Sequence, residues 1–306
     1  MRPALGFLTH VHGAGAEPGR LYRDLVELFV AAEELGYESG WVAQHHFQPE
    51  HGRLPAPLVL RAAAAERTSR IRLGTAVTVL PLEDPLRLAE DVLVLDDLSG
   101  GRVELGLGSG AASAGEFAVF GRNADRRHGD YDRNLGVLTQ ALASHPVAGR
   151  LWESTLRPDA LVRGAHAGRG LLLGAGPADP VQVKLADTHV AARRGRTRIA
   201  TVRGVFPGPD AATAAAELAP GVARYLPLHV QAGWAPHARV GVHELLRLMN
   251  VQYGPPARIT ETLRADPVLS GHGTHLIAAV QAEFDARPGT AAARGTGPRD
   301  RPAPGR

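Results

Sequence analysis

Short apolar segments alternate with longer helical segments along the first third of the chain, and this alternation restricts the possible folds more than any other feature. The expected strands are rich in apolar or β-branched residues, and the expected helices carry apolar residues on one face. The strands are predicted at residues 5–8, 40–43, 71–80 and 103–107, and the helices at residues 21–35, 58–67 and 85–98. Successive strand and helix units of this kind predict a parallel sheet covered by helices.

Four further strand segments are predicted at residues 150–152, 170–173, 199–202 and 275–280. Together with the first four they reach the number that a closed α/β barrel of the TIM type, (β/α)8, requires. A doubly wound open sheet is the alternative architecture. After Val280 no apolar-periodic stretch is long enough for a full last helix. We therefore expect one barrel domain over residues 1–287, without a full last helix, and a disordered Arg/Pro/Gly-rich tail over residues 288–306.

The distribution of charge and the residue usage exclude several classes of function. The net charge is +3, but the tail alone has four arginines against one aspartate, so the barrel domain is nearly neutral. A neutral domain lacks the basic stripe that nucleic-acid binding needs. The chain has no cysteine, which excludes disulfides and thiolate chemistry. No apolar run approaches the roughly 20 residues of a membrane span, and no signal peptide is apparent, so a cytoplasmic location away from membranes is expected.

Two histidines, His45 and His46, directly follow the second predicted strand. In a barrel of this type, side chains at the C-terminal ends of the strands form the active site. Neighbouring residues on an extended segment point in opposite directions, so these two imidazoles are not expected to bind one metal together. One of them can act as an acid, a base or a hydrogen-bond donor, because imidazole titrates near neutral pH. The residues alone favour a structural role for both histidines over a catalytic one.

A second pair, His10 and His12, stands at the end of the first predicted strand with a spacing that places both on one face. His-x-His at this position is typical of metal-dependent barrel hydrolases, which need further histidines and an aspartate at later strand ends. Those later ligands are missing from the sequence. We therefore expect no metal site and place His10 in the same pocket as His45, with a metal hydrolase as an alternative.

Two loop segments have the composition of cofactor-binding turns. Residues 106–111, Gly-Leu-Gly-Ser-Gly-Ala, match the dinucleotide-binding glycine pattern, but they follow a fourth strand instead of opening the chain. Glycines there either let backbone amides approach a cofactor ring or form a tight turn. Residues 153–159 place hydroxyl groups and an arginine before a helix that begins near Pro158. Phosphate binding and ordinary helix capping suit that arrangement equally well.

Four segments, in this order along the chain, resemble the bacterial luciferase-like monooxygenases. They are residues 44–47 (QHHF), 74–81 (GTAVTVLP), 85–91 (PLRLAED) and 98–108 (LSGGRVELGLG). The resemblance is close over about residues 5–140 and weakens after about residue 206. It implies a TIM-type barrel that binds FMN, usually reduced by a separate flavin reductase, or in some branches the deazaflavin F420. It also implies a homodimer.

The resemblance implies roles for individual residues. His45 resembles the active-site histidine that supports flavin hydroperoxide chemistry, and His46 and His10 are expected beside it in the substrate pocket. Ala76 and Val77 resemble a strand-end bulge beneath the flavin ring, where members of the family often have a cis peptide bond. The remaining cofactor contacts are expected from the glycine turn and from the loop that resembles the flavin-phosphate loop, namely Gly108, Ser109, Glu153, Ser154, Thr155 and Arg157.

The chain departs from the family pattern at three positions. Gln44 stands where a glutamate is common. Ser109 replaces an arginine that meets the flavin phosphate in luciferase, so Arg126, Arg127 or Arg157 is expected to substitute for it. Gly108 occupies the position of luciferase's reactive cysteine, so light emission is not implied.

The leading hypothesis is a flavin-dependent monooxygenase, in which reduced FMN reacts with O₂ and the resulting peroxyflavin transfers oxygen to a small organic substrate. One alternative keeps the fold and changes the cofactor, giving an F420-dependent hydride-transfer oxidoreductase. Another is a non-catalytic flavin-binding relative. The lid of the pocket is expected within residues 109–128 and 207–256, where the resemblance is weak.

Overall fold

Eight parallel strands close into a barrel that is surrounded by helices. The computed structural model describes residues 2–12, 17–47, 52–110, 114–177, 179–193, 195–236 and 239–279. Its strands are β1 (Ala4–Thr9), β2 (Ser39–Val42), β3 (Arg72–Thr75), β4 (Thr78–Val79), β5 (Val103–Gly108), β6 (Leu151–Ser154), β7 (Gly170–Leu173), β8 (Ile199–Pro207), β9 (Val251–Gly254) and β10 (His275–Ala279). The barrel closes because β10 pairs with both β1 and β8. The predicted TIM-type barrel is therefore confirmed, and seven of the eight predicted strand segments each overlap a single strand.

Most of the helices begin with a side-chain cap or with a proline in the first turn. They are α1 (Pro18–Glu34), α2 (Pro57–Arg67), α3 (Pro85–Leu98), α4 (Ala114–Val119), α5 (Arg127–Ala141), α6 (Pro158–His166), α7 (Asp179–Ala192), α8 (Ala211–Ala223), α9 (Leu226–Gln231), α10 (Val242–Leu248), α11 (Pro256–Ala265) and α12 (Pro267–Gly271). In α3, the Asp84 carboxylate accepts the backbone N–H groups of Leu86 and Arg87. A side chain that satisfies these free N–H groups fixes the first turn of the helix.

The prediction of one continuous strand over residues 71–80 is wrong. Two short strands, β3 and β4, are separated by Ala76 and Val77, and the peptide bond between these residues is cis. Gly74 pairs with Glu104, and Thr78 pairs with Leu107. Between these two pairs, the segment that joins β3 to β4 has three residues, whereas β5 has two. The extra residue is a β-bulge, as the resemblance implied.

The segment between β8 and β10 is larger than the sequence pattern indicated. It contains α8, α9 and α10 and the additional strand β9, which pairs with the last residues of β8 outside the barrel. We call residues 208–250 the cap. Its helices share a hydrophobic cluster of their own that includes Leu218, Leu246 and Met249. Residues 280–306 lie outside the described part of the chain, and with them the predicted tail and the predicted loss of the last helix.

The N-terminal end of the barrel is filled by large side chains. The rings of Trp41 and Trp152 meet edge to face inside the barrel, with their centroids 5.7 Å apart. The indole N–H of Trp152 donates to the Glu104 carboxylate at 2.6 Å, and Arg72 pairs with the same carboxylate. A filled barrel interior supports stability, and it leaves the C-terminal end of the barrel for a site.

Candidate active site

His45 and His10 form a hydrogen-bonded pair at the C-terminal end of the barrel. His10 directly follows β1 and His45 follows β2, and these two strands are parallel neighbours. Nδ1 of His10 lies 3.2 Å from Nε2 of His45. Because one nitrogen must donate and the other accept, each ring constrains the tautomer of the other. The structure thus brings together the two histidines that the sequence placed in one pocket.

The loop that precedes α2 holds this pair in place. The backbone N–H of His45 donates to the carbonyl oxygen of Leu54 at 3.0 Å, and the N–H of Arg53 donates to that of Val11 at 3.1 Å. A Cβ atom at Gly52 would lie 2.4 Å from both the His10 carbonyl oxygen and the His45 ring. Only a residue without a side chain lets the loop approach the imidazoles so closely.

Tyr225 is a member of this site that the sequence did not reveal. It lies in the cap, between α8 and α9, and its hydroxyl is hydrogen-bonded to Nε2 of His12. The ring of His12 stacks on that of His10, with the centroids 5.9 Å apart. Burial raises the pKa of Tyr225, so its hydroxyl keeps its proton. Because 213 residues separate the two partners, no local sequence pattern could have identified the pair.

Gln44 connects His45 to the bulge. Its backbone N–H donates to the Val77 carbonyl oxygen at 3.4 Å, and its side-chain oxygen accepts the Val79 N–H at 2.7 Å. Its side-chain nitrogen donates to the Glu83 carboxylate, also at 2.7 Å. A glutamate at position 44 could accept from Val79 but would oppose the charge of Glu83. The partner carboxylate therefore explains why an amide stands where the family commonly has a glutamate.

The glycine run on β5 allows close packing against the bulge. A Cβ atom at Gly106 would lie 1.9 Å from the Thr75 carbonyl oxygen, and one at Gly108 would lie 2.6 Å from the Val77 side chain. Gly108 is in register with Val79 on one side and with Ser154 on the other. Ser109 follows it at the strand end and is half-buried. The bulge, the glycine run and the start of the 153–157 loop are thus adjacent across three strands.

The predicted phosphate loop is only partly available for a cofactor. Ser154 and Thr155 are half-buried at the end of β6, and α6 begins at Pro158 as predicted. Glu153 accepts hydrogen bonds from the Tyr131 hydroxyl at 2.9 Å and from Arg169 at 2.7 Å. Arg157 pairs with Asp132 and Asp159. The side chains of Glu153 and Arg157 are therefore already engaged within the protein.

Of Arg126, Arg127 and Arg157, which were expected to substitute for the phosphate-binding arginine, Arg127 at the start of α5 is the best candidate. Its Nε atom is buried and has no hydrogen-bond partner within the described residues. Burial lowers the pKa of the adjacent His128, and the positive charges of Arg127 and Arg157 lower it further. Asp132 and Asp159 oppose the effect of these charges, so the buried Nε atom of Arg127 is the observation that favours this arginine.

His46 faces away from the histidine pair, toward α4. Its backbone N–H donates to Glu116 at 3.2 Å, and its ring meets Phe120 edge to face at 4.8 Å between centroids. Burial lowers the pKa of His46 and raises that of Glu116. Burial therefore disfavours the charged form of each of these side chains, which suits an apolar wall better than a proton donor.

The described ranges contain no group of three His, Asp or Glu side chains that could hold a metal ion. They also contain no helix that is both long enough and apolar enough to cross a bilayer. The additional ligands of a metal hydrolase are therefore missing from the described strand ends as well as from the sequence pattern.

The sequence profile of one family, described as luciferase-like monooxygenase, matches residues 3–286. The chain belongs to this family. An uncharacterized protein y4wF from Sinorhizobium fredii is 39% identical over 139 residues, which is 45% of this chain and 40% of that protein. The 4-hydroxyprotoasukamycin monooxygenase of Streptomyces nodosus subsp. asukaensis is 45% identical over 34% of this chain and 28% of that protein. The F420-dependent glucose-6-phosphate dehydrogenase of Amycolatopsis mediterranei is 44% identical over 33% of this chain and 31% of that protein.

The curated relatives are matched over less than half of their length, whereas two solved structures are similar over nearly the whole chain. The monooxygenase RslO1 from Streptomyces bottropensis has a TM-score of 0.77 at 20% identity and covers 90% of this chain and 91% of its own. The oxygenating constituent of 3,6-diketocamphane monooxygenase from Pseudomonas putida, in complex with FMN, has a TM-score of 0.72 at 18% identity, with 91% and 92% covered. At these identities the likeness establishes the fold alone.

Proposed function

We propose that this luciferase-like monooxygenase uses reduced FMN and O₂ to oxygenate a small organic substrate. Two electrons from reduced FMN and two from the substrate reduce O₂. One oxygen atom enters the substrate, the other leaves as water, and the flavin is released oxidised. A separate flavin reductase would supply the reduced FMN. When bound, the flavin supplies the activation of oxygen, and the chain supplies binding, orientation and exclusion of water.

The observation that supports this proposal is the position of His45 beside the bulge. Gln44 bonds to Val77 and Val79, and the ring of the next residue, His45, bonds to His10, so this imidazole is held one residue away from the side chain that contacts the bulge strand. An imidazole in that position can hold or deliver a proton at its ring nitrogen within the barrel mouth. We assign this role to His45.

The residues present fit a flavin. The hydroxyl of Thr78, next to the bulge, is buried and has no hydrogen-bond partner within the described part of the chain, so a cofactor atom could satisfy it. Gly108 and Ser109 would border the ring, and Ser154, Thr155 and Arg127 would hold the phosphate. Glu153 and Arg157 would support the loop through Tyr131 and Asp132 instead of binding the cofactor directly.

The proposal is tested by mixing the purified protein with reduced FMN in aerated buffer and following the flavin spectrum. Decanal, camphor and 2-naphthol serve as probes for aldehyde, ketone and phenol substrates. We expect reoxidation on the protein to differ in rate from that of free reduced FMN. With ¹⁸O₂, one labelled atom is expected in the product of an accepted probe. Reoxidation at the rate of free flavin, with no flavin retained on the protein, would show the proposal to be wrong.

Replacing Arg127 with glutamine is expected to weaken FMN binding by about tenfold, because one charged contact to the phosphate is lost. Riboflavin, which lacks the phosphate, should bind equally well to the variant and to the unchanged protein. Titration followed by flavin fluorescence measures both affinities. Arg126→Gln is the matched control, and its FMN affinity should stay unchanged. A loss of riboflavin affinity in Arg127→Gln would mean that the substitution disturbs the fold and not a phosphate contact.

F420-dependent hydride transfer is the second candidate, supported by the F420-dependent dehydrogenase among the relatives. Parallel titrations with FMN and with F420 separate the two candidates. We expect saturable binding of FMN and at least tenfold weaker binding of F420. The opposite order would favour the hydride-transfer enzyme. Binding of FMN without oxygen consumption in the presence of a flavin reductase would identify a non-catalytic flavin-binding relative.

We also propose that the protein forms a homodimer. The large apolar side chains of Val59 on α2 and Val94 on α3 are exposed. Beside them, α1 and α2 border an apolar groove of about 570 Å³ lined by Tyr22, Val26 and Leu60. Exposed apolar surface of this kind is typical of protein interfaces. Light scattering during size-exclusion chromatography measures the mass of the particle.

A further inference from the structure

The cap is attached to the barrel mouth at two separate places. On one side, the side-chain nitrogen of Asn250 donates to the carbonyl oxygen of Ala175, after β7, at 2.7 Å. The indole of Trp234 packs so closely on Gly176 that a Cβ atom there would lie 2.1 Å from the ring. On the other side, Tyr225 bonds to His12 after β1. The cap therefore spans from the end of β7 to the end of β1.

The attachment at β1 leads directly to the histidine pair. The Tyr225 hydroxyl bonds to Nε2 of His12, the His12 ring stacks on the His10 ring, and Nδ1 of His10 bonds to Nε2 of His45. The ring of Tyr225 also contacts that of His10 edge to face, with the centroids 6.1 Å apart. The first and last members of this series come from the cap and from the segment after β2, and the two rings between them follow β1.

Hydrogen bonding at His12 restricts the protonation of its ring. Since burial keeps the Tyr225 hydroxyl protonated, this hydroxyl can donate to Nε2 of His12. The proton of a neutral His12 then lies on Nδ1. The same bond holds the orientation of the His12 ring, and the His10 ring lies nearly parallel to it, with 18° between the two planes.

We propose that Tyr225 is a positioning residue of this active site, which acts through His12 and His10 to set the orientation and tautomer of His45. The catalytic role of His45 belongs to the proposed function, on which this inference rests. The coupling between Tyr225 and the histidine pair, however, can be measured without any flavin. The cap would thus control the active site through one hydroxyl group in addition to covering it.

The test uses Tyr225→Phe, which removes the hydroxyl and keeps the ring. Protein labelled with ¹⁵N-histidine reports the tautomer of each imidazole by NMR, and His10→Asn and His45→Asn assign the two signals. We expect Tyr225→Phe to shift the ring-nitrogen signals of both His10 and His45. We also expect FMN affinity within about twofold of the original and a rate of reduced-FMN reoxidation on the protein about tenfold lower. Unchanged His10 and His45 signals would overturn the proposal.

The chain provides a matched control in Tyr253→Phe. The Tyr253 hydroxyl bonds to Nδ1 of His243 at 2.8 Å, also between tyrosine and histidine, but at an exposed position. This control should change the His243 signal and leave His10, His45 and the reoxidation rate as they were. A loss of stability shared by both variants, with no change at His10 and His45, would identify Tyr225 as merely structural.

A second variant keeps the proposal testable if Tyr225→Phe affects folding. His12→Phe retains a flat ring against His10 and removes the bond to Tyr225. We expect it to shift the same His10 and His45 signals, and the double variant to produce no further shift, because both substitutions break one connection. Additive shifts in the double variant would contradict the proposed route. If instead the unchanged protein does not bind FMN while the NMR coupling is present, the proposed function fails and the positioning role of Tyr225 stands.

Discussion

Replacing His45 with alanine is expected to lower the rate of oxygen transfer by about 10²–10⁴-fold, the range that a positioned general acid or base contributes. The loss should appear in kcat, since the ring is expected to act during the reaction and not in cofactor binding. FMN affinity should stay within about twofold of the original, because Thr78, Ser154 and Thr155 are unaffected. The measurement is the rate of product formation with the accepted probe at saturating reduced FMN, beside a fluorescence titration of FMN binding.

His46→Ala is the control for this substitution, because His46 is the neighbour of His45 in the chain but its ring contacts Phe120, directly after α4. Loss of an apolar contact in the pocket is expected to cost about tenfold or less in the same assay. Equal losses in the two variants would mean that the segment after β2 has been disturbed as a whole. Undiminished oxygenation by His45→Ala would remove His45 from the mechanism.

The position of His45 could be predicted because it depends on local order along the chain. A strand recognised by its apolar residues ends at Val42, and the rules of a parallel barrel place whatever follows it at the mouth. The bulge at Ala76 and Val77 was predicted for a different reason, namely its resemblance to a family motif. Hydrophobic periodicity alone gave one continuous strand there, because a bulge leaves the apolar composition of the segment unchanged.

The contacts that complete the site could not be predicted, because they join distant parts of the chain. Tyr225 reaches His12 across 213 residues. Glu153 and Arg157 have the local composition of a phosphate loop, yet Tyr131, Arg169 and Asp132 occupy their side chains. Local spacing shows which groups stand near a strand end, but the choice between cofactor and protein partners depends on the helices packed behind that strand.

The glycine run on β5 packs against the bulge and is proposed to border the cofactor, and Gly106→Ala separates these two roles. The added methyl group would lie 1.9 Å from the Thr75 carbonyl oxygen, a backbone atom that cannot move without displacing β3. The Thr75 hydroxyl also donates to the Gly106 carbonyl oxygen at 2.6 Å and accepts the Gly106 N–H at 2.8 Å. We therefore expect a loss of about 3 kcal/mol in the free energy of unfolding.

Gly136→Ala is the opposite case, because Gly136 lies inside α5 and a Cβ atom there meets nothing within 4 Å. The same added methyl group should raise the free energy of unfolding by about 0.5–1 kcal/mol, since alanine favours a helix over glycine. Urea denaturation followed by tryptophan fluorescence measures both changes. If Gly106→Ala kept the original stability but lost FMN binding, approach of a cofactor, and not strand packing, would explain the glycine at this position. Lost stability together with retained FMN binding in the folded fraction would assign Gly106 to the barrel and leave Gly108 and Ser109 as the residues that border the flavin.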